Sequence, residues 1–135
     1  MSTSPKIGYL IPEFPGQTHI FFWREILALE RMGIEVVLFS TRQPPPGLIS
    51  HKWSEEAIAR TEYLGAVDPM AAAKTALSVA PTAYAKDVMR EGKALARDLA
   101  ITTGAAKLLQ ASCKRQGITH VHAHSCGRAT LVAMM

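Results

Sequence analysis

Residues 6–40 read strand, loop, helix, strand, and no other stretch constrains the fold as tightly. Lys6-Ile7-Gly8-Tyr9-Leu10-Ile11 is a short apolar run that breaks at Pro12, and residues 12–17 form a turn-rich loop. Residues 18–32 carry Phe22, Ile26 and Leu29 at steps of four and three, the spacing of a helix, and Gly33 ends it. Residues 34–39 are a second apolar run. Two apolar strands joined by an amphipathic helix form a right-handed parallel crossover. In such sheets ligands sit beyond the carboxyl ends of the strands, so the loop over residues 12–18 is placed where a ligand would bind.

The rest of the chain keeps the same rhythm. Pro44, Pro45 and Pro46 continue neither a helix nor a central strand, so a stiff surface loop is expected there. Residues 53–60 read as a short helix with Ser54 near its cap, and Glu55 and Glu56 favour its first turn. Residues 61–65 read as a short strand. Asp68-Pro69 marks a helix start, running to about residue 79 and stopped by Pro81. Residues 84–110 read as one long helix, or two joined near residues 102–104, with Gly117 closing the region. Residues 118–123 read as a strand and residues 125–135 as the beginning of another helix. The alternation predicts an α/β domain with a doubly wound parallel sheet and helices on both faces. Four strands are few for that architecture, so the chain is expected to be the first half of something larger.

A length of 135 residues fits one domain with a real core. Hydrophobic residues make up 48% and charged residues 19%, the balance of a globular chain rather than a disordered one. A formal charge of +4 permits an anionic partner without requiring one. Cys113 and Cys126 are too few for a disulfide scaffold. The first residues lack the basic and apolar regions of a signal peptide, and no apolar run is long enough to span a bilayer. The expected setting is cytoplasmic, with reduced thiols.

The first loop excludes two common chemistries. A dinucleotide site needs G-x-G-x-x-G between strand and helix, and this loop has only Gly16. The G-x-x-x-x-G-K-[ST] phosphate loop is also absent. The following helix still offers free amides at its first turn. Thr18 is placed to cap it, and Gln17 and His19 could donate to an oxygen-rich ligand. On these residues alone an ordinary tight turn at Phe14-Pro15-Gly16 accounts for the loop slightly better.

His120, His122 and His124 stand two apart on a strand, so their side chains share a face. Such a row can bind zinc. No acidic or cysteine ligand is placed beside it in sequence, since the chain has turned into a helix by Cys126. Three separate roles are therefore expected, one ring exposed, one buried and hydrogen-bonded, and one at the strand tip, with no metal.

Lys86, Arg90, Lys93 and Arg97 are spaced four, three and four apart, the spacing of one helical face, with Val88, Leu95 and Leu99 opposite. Eight basic and three acidic residues lie between Lys74 and Arg115. A solvated helix face is the commoner meaning of such a run. The functional one is a dock for anionic lipid headgroups. No aromatic residues interleave the charges, so nucleic acid is not an expected partner.

Tyr9-Leu10, Phe14-Pro15, the run Thr18-His19-Ile20-Phe21-Phe22-Trp23-Arg24-Glu25-Ile26, then Leu29, Gly33 and Val36 resemble a known pattern. It is that of the amino-terminal domain of retaining glycosyltransferases of family 4, which have the two-Rossmann-domain GT-B fold. Thr18 stands where the family often has Ser, and His19 where it often has Glu. His120-Val121-His122-Ala123-His124 is similar to a strand end of the same family. The resemblance covers residues 6–40 and 118–133, and the middle matches only in length and helical character.

The resemblance implies that residues 1–135 are a Rossmann-like, acceptor-side domain. The complete enzyme would move a sugar from a nucleotide-sugar donor to a glycan or lipid-linked acceptor, with retained configuration and no metal. His124 would be the catalytic residue at the donor–acceptor cleft, contacting the transferred sugar. Pro15, Gly16, Gln17, Thr18 and His19 would line the cleft. Ser125 would open the next helix with its amide aimed there, and Arg128 would reach a phosphate or carboxylate. Lys86, Arg90, Lys93 and Arg97 would face a membrane carrying the acceptor. The donor domain with its E-x7-E pair is not in this sequence, so the chain alone is expected to be inactive. The alternative is a non-catalytic α/β module, or an inactive relative, that binds glycan or anionic lipid. Receiver and flavodoxin-like domains fit less well, because the first loop lacks an acidic pair and lacks hydroxyls before Thr18.

Overall fold

The computed structural model describes residues 4–47, 51–65, 70, 74, 90, 92–125 and 128–134. Four strands, β1 (Lys6–Glu13), β2 (Glu35–Arg42), β3 (Thr61–Tyr63) and β4 (His120–Ala123), form one sheet in the order β3-β2-β1-β4. Every neighbouring pair is parallel. The described helices are α1 (Ile20–Arg31), α2 (Lys52–Arg60), α3 (Lys93–Gln116) and α4 (Arg128–Met134). This is an α/β, Rossmann-like sheet.

Strand alternation divides the core into two layers. Tyr9 and Ile11 of β1 face α1 and α2, where they join Phe22, Trp23, Ile26 and Ala57. Leu10 of β1 and Phe39 of β2 face the other way, onto Ala106 and Leu109 of α3 and Val132 of α4. Parallel strands covered on both faces are buried throughout, which is why β1 and β2 read as continuous apolar runs. Arg60 pairs with Glu30 and lies over the Trp23 ring at 5.4 Å, tying α2 to α1.

Several boundaries differ from the sequence expectation. β1 runs through Pro12 to Glu13. Its pairing with β4 ends at Leu10 and Ala123, so a proline two residues further on breaks no ladder bond on that side. α1 starts at Ile20 with His19, not Thr18, at the N-cap position, and the His19 side chain makes no capping hydrogen bond. Gly33, at φ +84°, ends the α1 region as expected. β3 is present but short. α3 runs unbroken through residues 102–104 to Gln116.

The long helix expected from residue 84 is interrupted at Gly92, whose φ of +77° and ψ of −158° are not helical. That break separates Arg90 from Lys93 and Arg97, so these three do not share one continuous helical face, and Lys86 lies outside the described residues. The expected helix over residues 68–79 lies outside the described residues, apart from Met70 and Lys74, which are helical. Among the described residues no helix is long and apolar enough to cross a membrane.

Candidate functional site

β1 is where the topology reverses. The chain leaves it toward β2 and β3, then returns to its other side as β4. The crevice past the carboxyl ends of β1 and β4 is therefore a topological switch point, the usual ligand position in open α/β sheets. The β1–α1 loop and the chain after β4 flank it. The backbone N–H of His124 donates to the Leu10 carbonyl at 2.9 Å and fixes the end of β4 against β1.

The register sets Tyr9 beside His122, on the face that carries α1. The Tyr9 ring lies 5.5 Å from the His122 ring and 4.6 Å from the His124 ring. Phe22, in the first turn of α1, is 4.4 Å from His124 and 5.1 Å from His19. One α1 turn beyond Phe22, Glu25 accepts a hydrogen bond from the Tyr9 hydroxyl at 2.8 Å. The same carboxylate oxygen, Oε2, is 3.9 Å from His124 Nε2. His124 Nε2 and His19 Nδ1 are buried and make no hydrogen bond among the described residues.

Burial sets the protonation states. The Tyr9 phenol is held far above its ordinary range, first by burial and then by the hydrogen bond to Glu25 and that residue's charge. It remains a donor. Burial also lowers His124, helped by the neighbouring His122 and opposed by Glu25. Since that ring is neutral near pH 7, its 3.9 Å approach to Glu25 is not an ion pair. His19 is lowered by burial against the pull of Glu13. Each neutral ring offers one donor and one acceptor nitrogen.

Lowered folded-state values have a consequence for stability. Between them and the ordinary histidine value near about 6.5, the unfolded chain binds more protons than the folded one. The contribution of His19 and His124 is then complete above about pH 6.5 and is lost as pH falls toward the folded values. Urea midpoints should drop between about pH 7 and pH 5.5, and less steeply in a His19→Asn/His124→Asn chain. An equal drop in both chains would refute the assignment.

The expected cleft residues separate into two groups. Gly16, His19 and His124 come together, with Phe22 as the link. A methyl group at Gly16 would lie 2.7 Å from the His19 ring, so glycine is what lets that ring fold back over the loop. His19 also donates its backbone N–H to the Gly16 carbonyl at 3.1 Å. Pro15 is buried and follows a cis peptide bond. Gln17 and Thr18 are exposed at the loop tip.

Ser125 does not open the next helix. It lies before α4 at φ +68°, a left-handed conformation uncommon for a residue with a side chain. Arg128 is the first residue of α4, and its side chain is outside the description, as are those of Lys93 and Arg97. Arg90 is exposed, and Lys86 lies outside the described residues.

Sequence reasoning gave no role to Tyr9, Phe22 or Glu25. Their signal was the three-residue step from Phe22 to Glu25, which places both on one α1 face, and the odd-numbered position of Tyr9 on β1. Of the three histidines, His120 and His122 are exposed and His124 is half-buried at the strand end. The expectation that one would be buried and hydrogen-bonded therefore fails. So does the premise that no acid stands beside the row, because Glu25 reaches it from α1.

A concavity of about 620 Å³ opens beyond β1, β2 and β3, lined by Pro12, Glu13, Arg42, Gln43 and Tyr63 among others. Its charges Glu13 and Arg42 are already paired with each other. The buried, unsatisfied nitrogens lie at the switch point instead, which makes that the candidate site.

Comparison with protein-family models, curated proteins and solved structures finds no match to this chain.

Proposed function

We propose that this chain is the acceptor-side domain of a retaining glycosyltransferase, moving a sugar from a nucleotide-sugar donor to a glycan or lipid-linked acceptor. The observation that supports this reading is the meeting of the two motifs that carry the family resemblance. The β1–α1 loop, with Gly16 and His19, and the β4 end, with His124, lie at one switch point. His124 presents a neutral ring whose buried Nε2 makes no hydrogen bond among the described residues. A sugar hydroxyl would satisfy that nitrogen, and the ring would orient it in the cleft. Tyr9 and Phe22 fix the ring by packing on it. Phe21, 55% exposed beside Phe22, offers an apolar ring face on which the C–H face of a sugar would rest.

Titration of the isotope-labelled chain with a panel of alkyl hexosides tests the binding half. Shifts should appear at the His124 and His19 rings and the Gly16 amide. Shifts confined to Arg42 and Tyr63, or none with any hexoside, would overturn the site. The catalytic half is tested in the source DNA. A reading frame that continues past Met135 into a second α/β unit with an E-x7-E pair supports it. A stop there, with no such unit encoded nearby, overturns it.

The reading extends to the membrane. Lys86 and Arg90 before Gly92, and Lys93 and Arg97 after it, would each supply a cation to anionic headgroups where a lipid-linked acceptor is presented, from two segments rather than one helical face. Co-sedimentation with phosphatidylglycerol vesicles, weakened by salt and absent with phosphatidylcholine alone, is the expected result.

A further inference from the structure

We propose that Glu25, His122 and His124 form a zinc-class transition-metal site. Each residue offers one ligand atom, and the three atoms lie within 4.8 Å of one another. They come from two rigid elements, the β4 end and the middle of α1. Two imidazoles and one carboxylate are a donor set that zinc takes, with a fourth position left for water or another oxygen. The nitrogens favour zinc, copper or nickel over magnesium and calcium, which prefer all-oxygen shells.

Three further features fit a ligand set. His124 Nε2 is buried and makes no hydrogen bond among the described residues. A buried polar atom left unpaired is costly, and a metal would satisfy it. The Tyr9 hydroxyl donates to Glu25 Oε2 at 2.8 Å, which holds the carboxylate as outer-shell partners hold ligands in known sites. The rings of His122 and His124 stand 4.5 Å apart, on the face that carries Glu25.

Zinc bonds of about 2.0–2.2 Å place neighbouring ligand atoms roughly 3.3–3.5 Å apart. His124 Nε2 and Glu25 Oε2 are 3.9 Å apart, so that pair needs to close by about half an ångström, and a pair at the 4.8 Å limit of the set would need to close by about 1.4 Å. The Glu25 side chain is 46% exposed and free on its outer side to make that adjustment. Metal occupancy would withdraw His124 Nε2 from any sugar hydroxyl. The site itself does not rest on the transferase reading and is read on the chain alone.

The test is calorimetry of the chelator-stripped chain with zinc chloride, backed by the visible spectrum of the cobalt-loaded chain. One equivalent should bind and raise Tm, and cobalt should show the intense bands of four- or five-coordination. Glu25→Gln, His122→Asn and His124→Asn should each weaken zinc binding by about tenfold or more, while Tyr9→Phe weakens it by roughly 10–100-fold through the carboxylate. His120→Asn, His51→Asn and Cys113→Ser should leave it unchanged. Circular dichroism separates loss of a ligand from loss of the fold, and exposed His122 is the replacement least able to disturb the core. No zinc uptake by the wild-type chain overturns the proposal. Equal weakening by the control replacements also overturns it. So does loss with Cys126→Ser but not with Glu25→Gln.

Discussion

Replacing Phe39 with Ala should lower the unfolding free energy by about 3–5 kcal/mol, read from urea midpoints. Phe39 is fully buried in β2, opposite Leu10 of β1, on the face that carries α3 and α4. Its ring extends across β1. A methyl group added at Gly8 would come within 3.2 Å of Phe39 Cε2 and 3.3 Å of Val121 Cγ2. Gly8 is therefore glycine because Phe39 and Val121 occupy the space above it. Truncation opens a cavity that the fixed sheet cannot close. A domain of this size holds only about 5–15 kcal/mol in all, so much of its margin goes with one ring.

The packing account makes a sharper forecast for the pair. Gly8→Ala alone should destabilise by crowding, and in a Phe39→Ala background it should cost less, because the ring contact is gone and only Val121 still crowds the new methyl. The double-mutant cycle should show a coupling of about 0.5–3 kcal/mol. Strict additivity would mean that the two side chains do not compete for space.

Ser40→Ala should cost about 1–3 kcal/mol and free the loop that carries Gly16 and His19. Ser40 is fully buried at the end of β2. Its hydroxyl accepts the Phe14 backbone N–H at 3.1 Å, and its one proton is shared between the Arg42 carbonyl at 3.0 Å and the Pro12 carbonyl at 3.2 Å. Alanine leaves the buried Phe14 amide without a partner. The Thr41 hydroxyl also reaches the Pro12 carbonyl and keeps part of the anchorage. Amide exchange at Phe14 and His19 should quicken more than at Leu38, which lies in the ladder. Equal protection in wild type and variant would show that the loop is held by Tyr63, whose hydroxyl donates to the Phe14 carbonyl at 2.8 Å.

Ser40 and Gly8 mark where sequence reasoning reached its limit. Both lie in segments whose strand character is plain from apolar runs. Neither run says that a serine hydroxyl will close a loop twenty-six residues earlier, or that a glycine makes room for a ring on the neighbouring strand. Thr18 misled for a related reason. It is a good capping residue in a good position, but the chain continues through His19, which takes the N-cap position, before α1 begins. Gly92 misled in the opposite direction. A glycine inside an otherwise helical pattern reads as tolerable, and its positive φ in fact separates Arg90 from α3.

The sequence by itself determined the alternation of strands and helices, the parallel crossover at the amino end, and the common face of His120, His122 and His124. Those features follow from periods of two and 3.6 residues, which are local properties of the backbone. Only the tertiary structure decided what stands beside the histidines. Parallel pairing of β4 with β1 brings Tyr9 against His122, and the crossover lays α1 so that Phe22 and Glu25 close over His124. Burial of that cluster lowers His124 and leaves its Nε2 without a hydrogen bond among the described residues. Contacts between opposite ends of the chain are set by register and by which face each helix covers, and neither is written in the spacing of any one segment.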